Sequence, residues 1–171
     1  LNDTLKGTAG DDYLAGGDGD DFIISTGGGD TVAGGANTTA SGGGDWLSFQ
    51  LVTENLADPD GFTGVRANMS GGALSSGLGS TNISGIENIK GTIFKDLITG
   101  DTGDNSLDGY SGNDLISGGA GKDYLLGGDG DDTLRGDSGI DIYDGGAGED
   151  ILDSYSAGAI VKVDLSSSTN K

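Results

Sequence analysis

The sequence predicts an all-β chain wound as a right-handed parallel solenoid, and three observations carry that prediction. A nine-residue pattern, G-G-x-G-x-D-x-U-x with U a large apolar residue, runs without a gap from Gly91 to Asp153 in seven copies. Gly supplies 37 of the 171 residues, against about 7% in ordinary proteins. The formal net charge is −20, a self-repulsion that a compact chain must neutralise. A divalent cation is the natural neutraliser.

Each unit divides into a turn and a short strand. Gly at positions 1, 2 and 4 admits backbone angles that a Cβ forbids, so six residues can make one tight turn. The remaining x-U-x forms a strand whose alternation sends U to one side and its neighbours to the other. Two units complete one flattened coil, and coils stack as parallel strands about 4.8 Å apart. The U residues of both edges then meet in a thin interior. The chain's 33% apolar content suits an interior of that kind.

In the second block position 6 holds Asp96, Asn105, Asp114, Asp123, Asp132, Asp141 and Asp150. Position 8 holds Ile98, Leu107, Ile116, Leu125, Leu134, Tyr143 and Leu152. An earlier block keeps the same register, with Asp3, Asp12, Asp21 and Asp30 at position 6 and Leu5, Leu14, Ile23 and Val32 at position 8. Residues 34–39 interrupt it, and it resumes with Asp45 and Leu47. The expected organisation is a first block over 1–48, a non-repeat β-rich connector over 49–90, a second block over 91–153, and a cap or the start of a further unit over 154–171. Within the connector, Asp58-Pro59-Asp60-Gly61 reads as a turn and Val65 to Met69 as a strand. Ile83, Ile86 and Ile89 recur every third residue and read as an irregular rung feeding inward Ile toward Gly91. Two longer echoes, Asn2–Gly7 with Lys95–Gly100 and Gly64–Ser70 with Ala159–Ser166, suggest a piece of a larger tandem array.

Stacking brings position-6 carboxylates of repeats i and i+2 onto one edge. The expected pairs are Asp3/Asp21, Asp12/Asp30, Asp96/Asp114, Asn105/Asp123, Asp114/Asp132, Asp123/Asp141 and Asp132/Asp150. Carboxylates so placed repel unless an ion lies between them. Ca²⁺ takes about six to eight oxygens at roughly 2.3–2.6 Å, which two Asp side chains and several Gly-loop carbonyls can supply. Mg²⁺ demands a tighter octahedron and keeps its waters. Zinc lacks its N and S ligands, because the chain has no His and no Cys. Several calcium ions are therefore expected on Asp3, Asp12, Asp21, Asp30, Asp45, Asp96, Asn105, Asp114, Asp123, Asp132, Asp141 and Asp150. Asn105 lacks the charge of its counterparts and marks a weak site. Asp18, Asp20, Asp129 and Asp131 sit at x positions and read as solvated surface charge.

Other function classes find little footing. A Ser-His-Asp arrangement cannot form without His. Paired carboxylates can cleave glycosidic bonds, but a catalytic pair would be unique and these recur at every repeat. No catalysis is expected. Lys and Arg total 8 and do not cluster, which leaves nucleic acid without a footprint. No apolar run is long enough for a membrane helix. Trp46, Phe49, Phe62 and Tyr110 could stack on sugar rings, though Trp46 and Phe49 read better as seals on the thin core.

The chain resembles the RTX, or haemolysin-type, calcium-binding family over Asp3–Ala33, less cleanly over Ala40–Ser48, and over Gly91–Asp153. The stretch Ile83–Gly91 resembles the connector that precedes new rolls in long members of that family. The resemblance implies a parallel β-roll with Ca²⁺ between successive loops. It also implies export from a Gram-negative bacterium by type I secretion, and a module that stays unfolded in the cytosol and folds outside the cell. Such modules accompany enzymes, toxins, surface-layer proteins and adhesins. The implied role is a structural, secretion-linked extender beside neighbouring RTX units of a larger parent chain. The alternative is a polysaccharide- or cell-surface-binding accessory module.

Overall fold

The computed structural model describes residues 1–36, 43–52, 64–70, 73–76, 79–153 and 162–164. Every regular element among them is a strand. One sheet has eight strands, in the order Thr4–Lys6, Phe22–Ile24, Trp46–Ser48, Asn88–Lys90, Ser106–Ser111, Tyr124–Asp129, Ile142–Ala147 and Lys162–Asp164. All its neighbours are parallel. The second sheet has nine strands, in the order Ile151–Asp153, Thr133–Arg135, Leu115–Ser117, Leu97–Thr99, Arg66–Asn68, Ala73–Ser76, Gly79–Ser84, Thr31–Ala36 and Tyr13–Asp18. Short pieces at Ala120–Gly121 and Ser138–Gly139 pair separately.

The nine-residue spacing explains this architecture. Leu97 lies beside Leu115, and Leu115 beside Thr133, so each sheet advances by two repeats per strand. Successive repeats alternate between the sheets. Position 8 always faces the interior: Ile23, Leu47, Ile98, Leu107, Ile116, Leu125 and Leu134 have no exposed surface, and Tyr143 shows 1%. Leu5 and Leu152, toward the two ends, are half-buried against the same core. Each fully buried aliphatic contributes about 1.5–3 kcal/mol. The interior is a single file of such residues between two sheets.

The strands stay short because the turns are tight. At position 4, Gly130 has φ 135°, and a Cβ there would lie 1.8 Å from the Gly112 carbonyl oxygen one coil away. Only hydrogen fits in that gap.

Both sheets run through the connector, so the two repeat blocks share one core. On the first sheet, Trp46–Ser48 pairs with Asn88–Lys90, which pairs in turn with Ser106–Asp108. Ile89 thereby sits between Leu47 and Leu107. On the second sheet Ile83 lies beside Val32. Ile83, Ile86 and Ile89 are all buried, as the irregular-rung reading expects. Arg66–Asn68 is a strand with Val65, Ala67 and Met69 buried. The addition to the parallel plan is antiparallel: Ala73–Ser76 pairs with Arg66–Asn68 on one side and Gly79–Ser84 on the other. The turn expected at Asp58–Gly61 lies outside the described residues.

Candidate metal centre: two carboxylate ladders

Position 6 of every repeat stands where the turn enters the strand, at an edge of the roll. There the carboxylates form ladders. The backbone N–H of each residue donates to Oδ1 of its partner one coil on. The bonds are Asp3 to Asp21 at 2.7 Å, Asp12 to Asp30 at 3.1 Å, Asp96 to Asp114 at 2.8 Å and Asn105 to Asp123 at 2.9 Å. Asp114 to Asp132, Asp123 to Asp141 and Asp132 to Asp150 follow at 2.7, 3.1 and 3.0 Å. All seven pairs expected from the repeat spacing are adjacent. Asp21, Asp30, Asp45, Asp96, Asp114, Asp123, Asp132 and Asp141 are buried, whereas Asp12 and Asp150 are half-buried and Asp3 is exposed.

Only one oxygen of most carboxylates is used in this way. Oδ2 of Asp21, Asp45, Asp114, Asp123, Asp132 and Asp141 is buried with no hydrogen-bond partner. A buried carboxylate oxygen without a partner is costly. Each faces the position-1 glycine of its own turn. A Cβ on Gly109 would lie 2.3 Å from Oδ2 of Asp114 and 2.7 Å from the Gly127 carbonyl oxygen. At Gly127 the same atoms are Oδ2 of Asp132 at 2.3 Å and the Gly145 carbonyl at 2.4 Å. At Gly16 they are Oδ2 of Asp21 at 2.1 Å and the Gly34 carbonyl at 2.8 Å. An unpartnered carboxylate oxygen and a carbonyl oxygen thus converge at these three turns. Two negative ends meet with no donor between them, which is an environment for a hard cation.

Among the described residues no three acidic side chains gather at one point. Two carboxylates supply at most four oxygens, so carbonyls must complete a shell of about six to eight. The donor set is all oxygen and fits calcium.

Burial raises the proton affinity of five of these groups. It pushes Asp114 up to about 9, with the neighbouring Asp96, Asp132 and Asp108 charges adding to the effect. Burial likewise lifts Asp123 to about 7, Asp132 to about 6 and Asp96 to about 6, and raises Asp45. In the unfolded chain such carboxyls titrate near ~3.9. Between roughly pH 4 and 9 the metal-free fold therefore binds more protons than the unfolded chain, and its stability falls as pH rises. In chelator, β signal in circular dichroism should be strongest near pH 4 and fade toward neutral and alkaline pH. A metal-free chain that gained β content over that climb would contradict the burial of these groups.

Several contributors escape the nonapeptide frame. Glu87 extends the first-sheet ladder: its Oε2 accepts the Asp45 N–H at 2.9 Å, and Asp45 Oδ1 accepts the Asp21 N–H at 2.7 Å. The interruption after Ala33 leaves the ladder intact. A Cβ on Gly34 would lie 2.4 Å from Oδ2 of Asp45 and 1.8 Å from the Gly85 carbonyl oxygen, so Gly34 takes the position-1 place for Asp45. Asn105 uses both ends of its amide: Oδ1 accepts the Asp101 N–H at 2.9 Å, and Nδ2 donates to the Glu87 carbonyl at 3.1 Å. An Asp could not make the second bond, which accounts for Asn at this position.

Position 5 carries a further ladder in the opposite sense. Oδ1 of Asn2, Asp11, Asp104, Asn113 and Asp131 accepts the N–H of Asp20, Gly29, Lys122, Asp131 and Glu149 respectively. Asp131 is thus part of the coil stacking and not merely the solvated charge expected of it. Cross-coil ion pairs reinforce position 9, Lys90 with Asp108 at 2.5 Å and Arg135 with Asp153 at 3.1 Å. Among the aromatics, Phe49 is buried in the core and Trp46 is half-buried in register between Phe22 and Asn88. Tyr110 is partly exposed, with the Lys90 ammonium 5.1 Å from its ring centre. Phe62 lies outside the described residues. No helix among the described residues is long and apolar enough to cross a membrane.

Comparison with known proteins agrees with this geometry. The family model for the RTX calcium-binding nonapeptide repeat, which spans four copies, matches residues 1–32, 90–125 and 117–152. Those segments make up more than half of the chain. A search of curated proteins finds no match. With its repeats matched and its parallel roll in place, the chain belongs to the RTX calcium-binding nonapeptide repeat family.

Proposed function

We propose that this chain is a calcium-folded β-roll module of a large secreted bacterial protein, serving as a structural, secretion-linked extender and not as a catalyst. The observation that carries the reading is the set of six buried, unpartnered Oδ2 atoms, on Asp21, Asp45, Asp114, Asp123, Asp132 and Asp141. The ligands proposed are these carboxylates, with the carbonyls of Gly34, Gly85, Gly127 and Gly145 that converge on them. Bound Ca²⁺ would supply the positive charge that lets stacked carboxylates coexist. Loop carbonyls and Asp Oδ1–N–H bonds would hold the coils in register around it.

The secretion part of the reading rests on chemistry of the same kind. A chain of net charge −20 whose interior needs a cation would stay extended where calcium is scarce and fold where it is plentiful, outside the cell or at its surface. Native mass spectrometry after calcium loading should find several ions per chain, and equal Mg²⁺ should leave the chain metal-free. A chain that took up no calcium, or took magnesium equally well, would overturn the proposal.

A further inference from the structure

The turns are of two kinds. In seven of them the residue at position 2 is left-handed: Gly17 (φ 98°), Gly35 (129°), Tyr110 (76°), Gly119 (98°), Gly128 (109°), Asp137 (63°) and Gly146 (90°). Six of them serve Asp21, Asp45, Asp114, Asp123, Asp132 and Asp141, the six carboxylates whose Oδ2 is unpartnered, and the seventh serves the half-buried Asp150 toward the end of the roll. Four other turns lack a left-handed position 2, and in each the position-6 side chain is supplied with a local donor. Thr8 gives Asp12 Oδ2 both its N–H, at 2.6 Å, and its hydroxyl, at 2.9 Å. Thr92 gives Asp96 Oδ2 its N–H at 2.7 Å and Oδ1 its hydroxyl at 2.9 Å. Asp101 gives Asn105 Oδ1 its N–H at 2.9 Å. In the fourth, Ser25 at position 1 donates its hydroxyl to Asp30 Oδ2 at 2.7 Å.

Building on the calcium reading above, we propose that positions 1 and 2 decide turn by turn where calcium binds, and that Thr8, Ser25, Thr92 and Asp101 close their turns to the metal. A donor on the inner oxygen does locally what the cation does elsewhere. A turn cannot use both, because the donor hydrogen stands against the oxygen on the side where the ion would lie. The open conformation is held even against strain. Tyr110 and Asp137 are the two non-glycine residues with positive φ among the described residues, and both sit at position 2 of open turns. A side chain in that region costs about 1–2 kcal/mol.

The closed turns fall in a pattern. In the first block they occupy one edge, at Asp12 and Asp30, while Asp21 and Asp45 on the other edge are open. In the second block they are the first turn on each edge, at Asp96 and Asn105. Closed coils therefore stand directly after the irregular connector, and the run of open coils is stacked upon them. They would give the metal-binding turns a surface to fold against that needs no metal of its own.

The test is a calcium count by native mass spectrometry on the parent chain, Thr8→Gly, Thr92→Gly and the double variant. Each substitution should open one turn, so each single variant should bind one more ion than the parent, and the double variant two more. Thr8→Ser keeps the hydroxyl and should match the parent. Thr8 lies in the first, solvent-exposed coil, so Thr8→Gly reports even if Thr92→Gly weakens the fold. A parent that binds calcium, with identical counts in the Gly variants, would overturn this inference and leave the calcium reading standing. A parent that binds none would overturn both.

Discussion

In the presence of chelator at neutral pH the chain is expected to show almost no β signal by circular dichroism, and millimolar calcium to restore it in one cooperative step. The reason lies in the balance of terms. A single-file core of position-8 residues is thin, and proteins with thicker cores are stable by only about 5–15 kcal/mol. Against it stand six carboxylates buried with an oxygen unpartnered. An uncompensated buried charge costs several kcal/mol, so a few of them exceed any plausible surplus. Supplying the cation reverses their sign. Cooperativity follows from the stacking, since each coil in a solenoid is stabilised by its neighbours. Here the ladder bonds within each repeat run join a residue to its counterpart eighteen positions on, as from Asp114 to Asp132, and Asp21–Asp45 and Asp45–Glu87 carry the ladder across the break. Magnesium should fail to replace calcium, because loop carbonyls and flexible Asp pairs do not form its small octahedron. Equal β content in chelator and in calcium would show that the roll needs no metal.

The parts of this molecule legible in the sequence are those fixed by period. A nine-residue repeat with one large apolar residue places that residue inward at every turn. Leu107, Ile116, Leu125 and Leu134 needed no further information. The partners of the Asp ladder follow from the same arithmetic. What escaped depends on conformation or on contacts made across the repeat break. Glu87 joins the ladder because coil stacking brings it beside Asp45, 42 residues earlier, and no local motif announces it. Gly34 serves Asp45 across an insertion that the linear frame treats as an interruption. The sorting of turns into open and closed hangs on φ at position 2. Tyr110 and Thr92 occupy the same register position and adopt opposite conformations there. The signal that could have found the closed turns was present as Thr and Ser in place of Gly, at Thr8, Ser25 and Thr92. In the folded coil their hydroxyls reach the position-6 carboxylates, a contact that the linear pattern does not announce.

Leu125→Ala and Asp123→Ala, two residues apart on one strand entry, are expected to fail in different ways. Leu125 has no exposed surface and lies in register between Leu107 and Tyr143. Truncating it removes buried methyl groups and leaves a cavity, at a cost of about 2–5 kcal/mol. Its carboxylate neighbours are untouched, so the number of calcium ions bound on folding should not change. The calcium titration should shift to higher concentration as a parallel curve of the same steepness. Asp123 is built into the metal site instead. Its Oδ1 accepts the Asn105 N–H, its own N–H donates to Asp141, and its Oδ2 is one of the six unpartnered oxygens. Asp123→Ala should remove at least one ion from the count. Since the steepness of folding against calcium reports the ions taken up by the folded state, the titration should flatten as well as shift. Loss of the Oδ1 acceptor also strands the buried Asn105 N–H, at about 1–3 kcal/mol, and that part should persist at any calcium concentration. If Leu125→Ala were silent, or if Asp123→Ala gave a parallel shift with an unchanged ion count, the division of the repeat into an apolar position 8 and a metal-facing position 6 would be wrong.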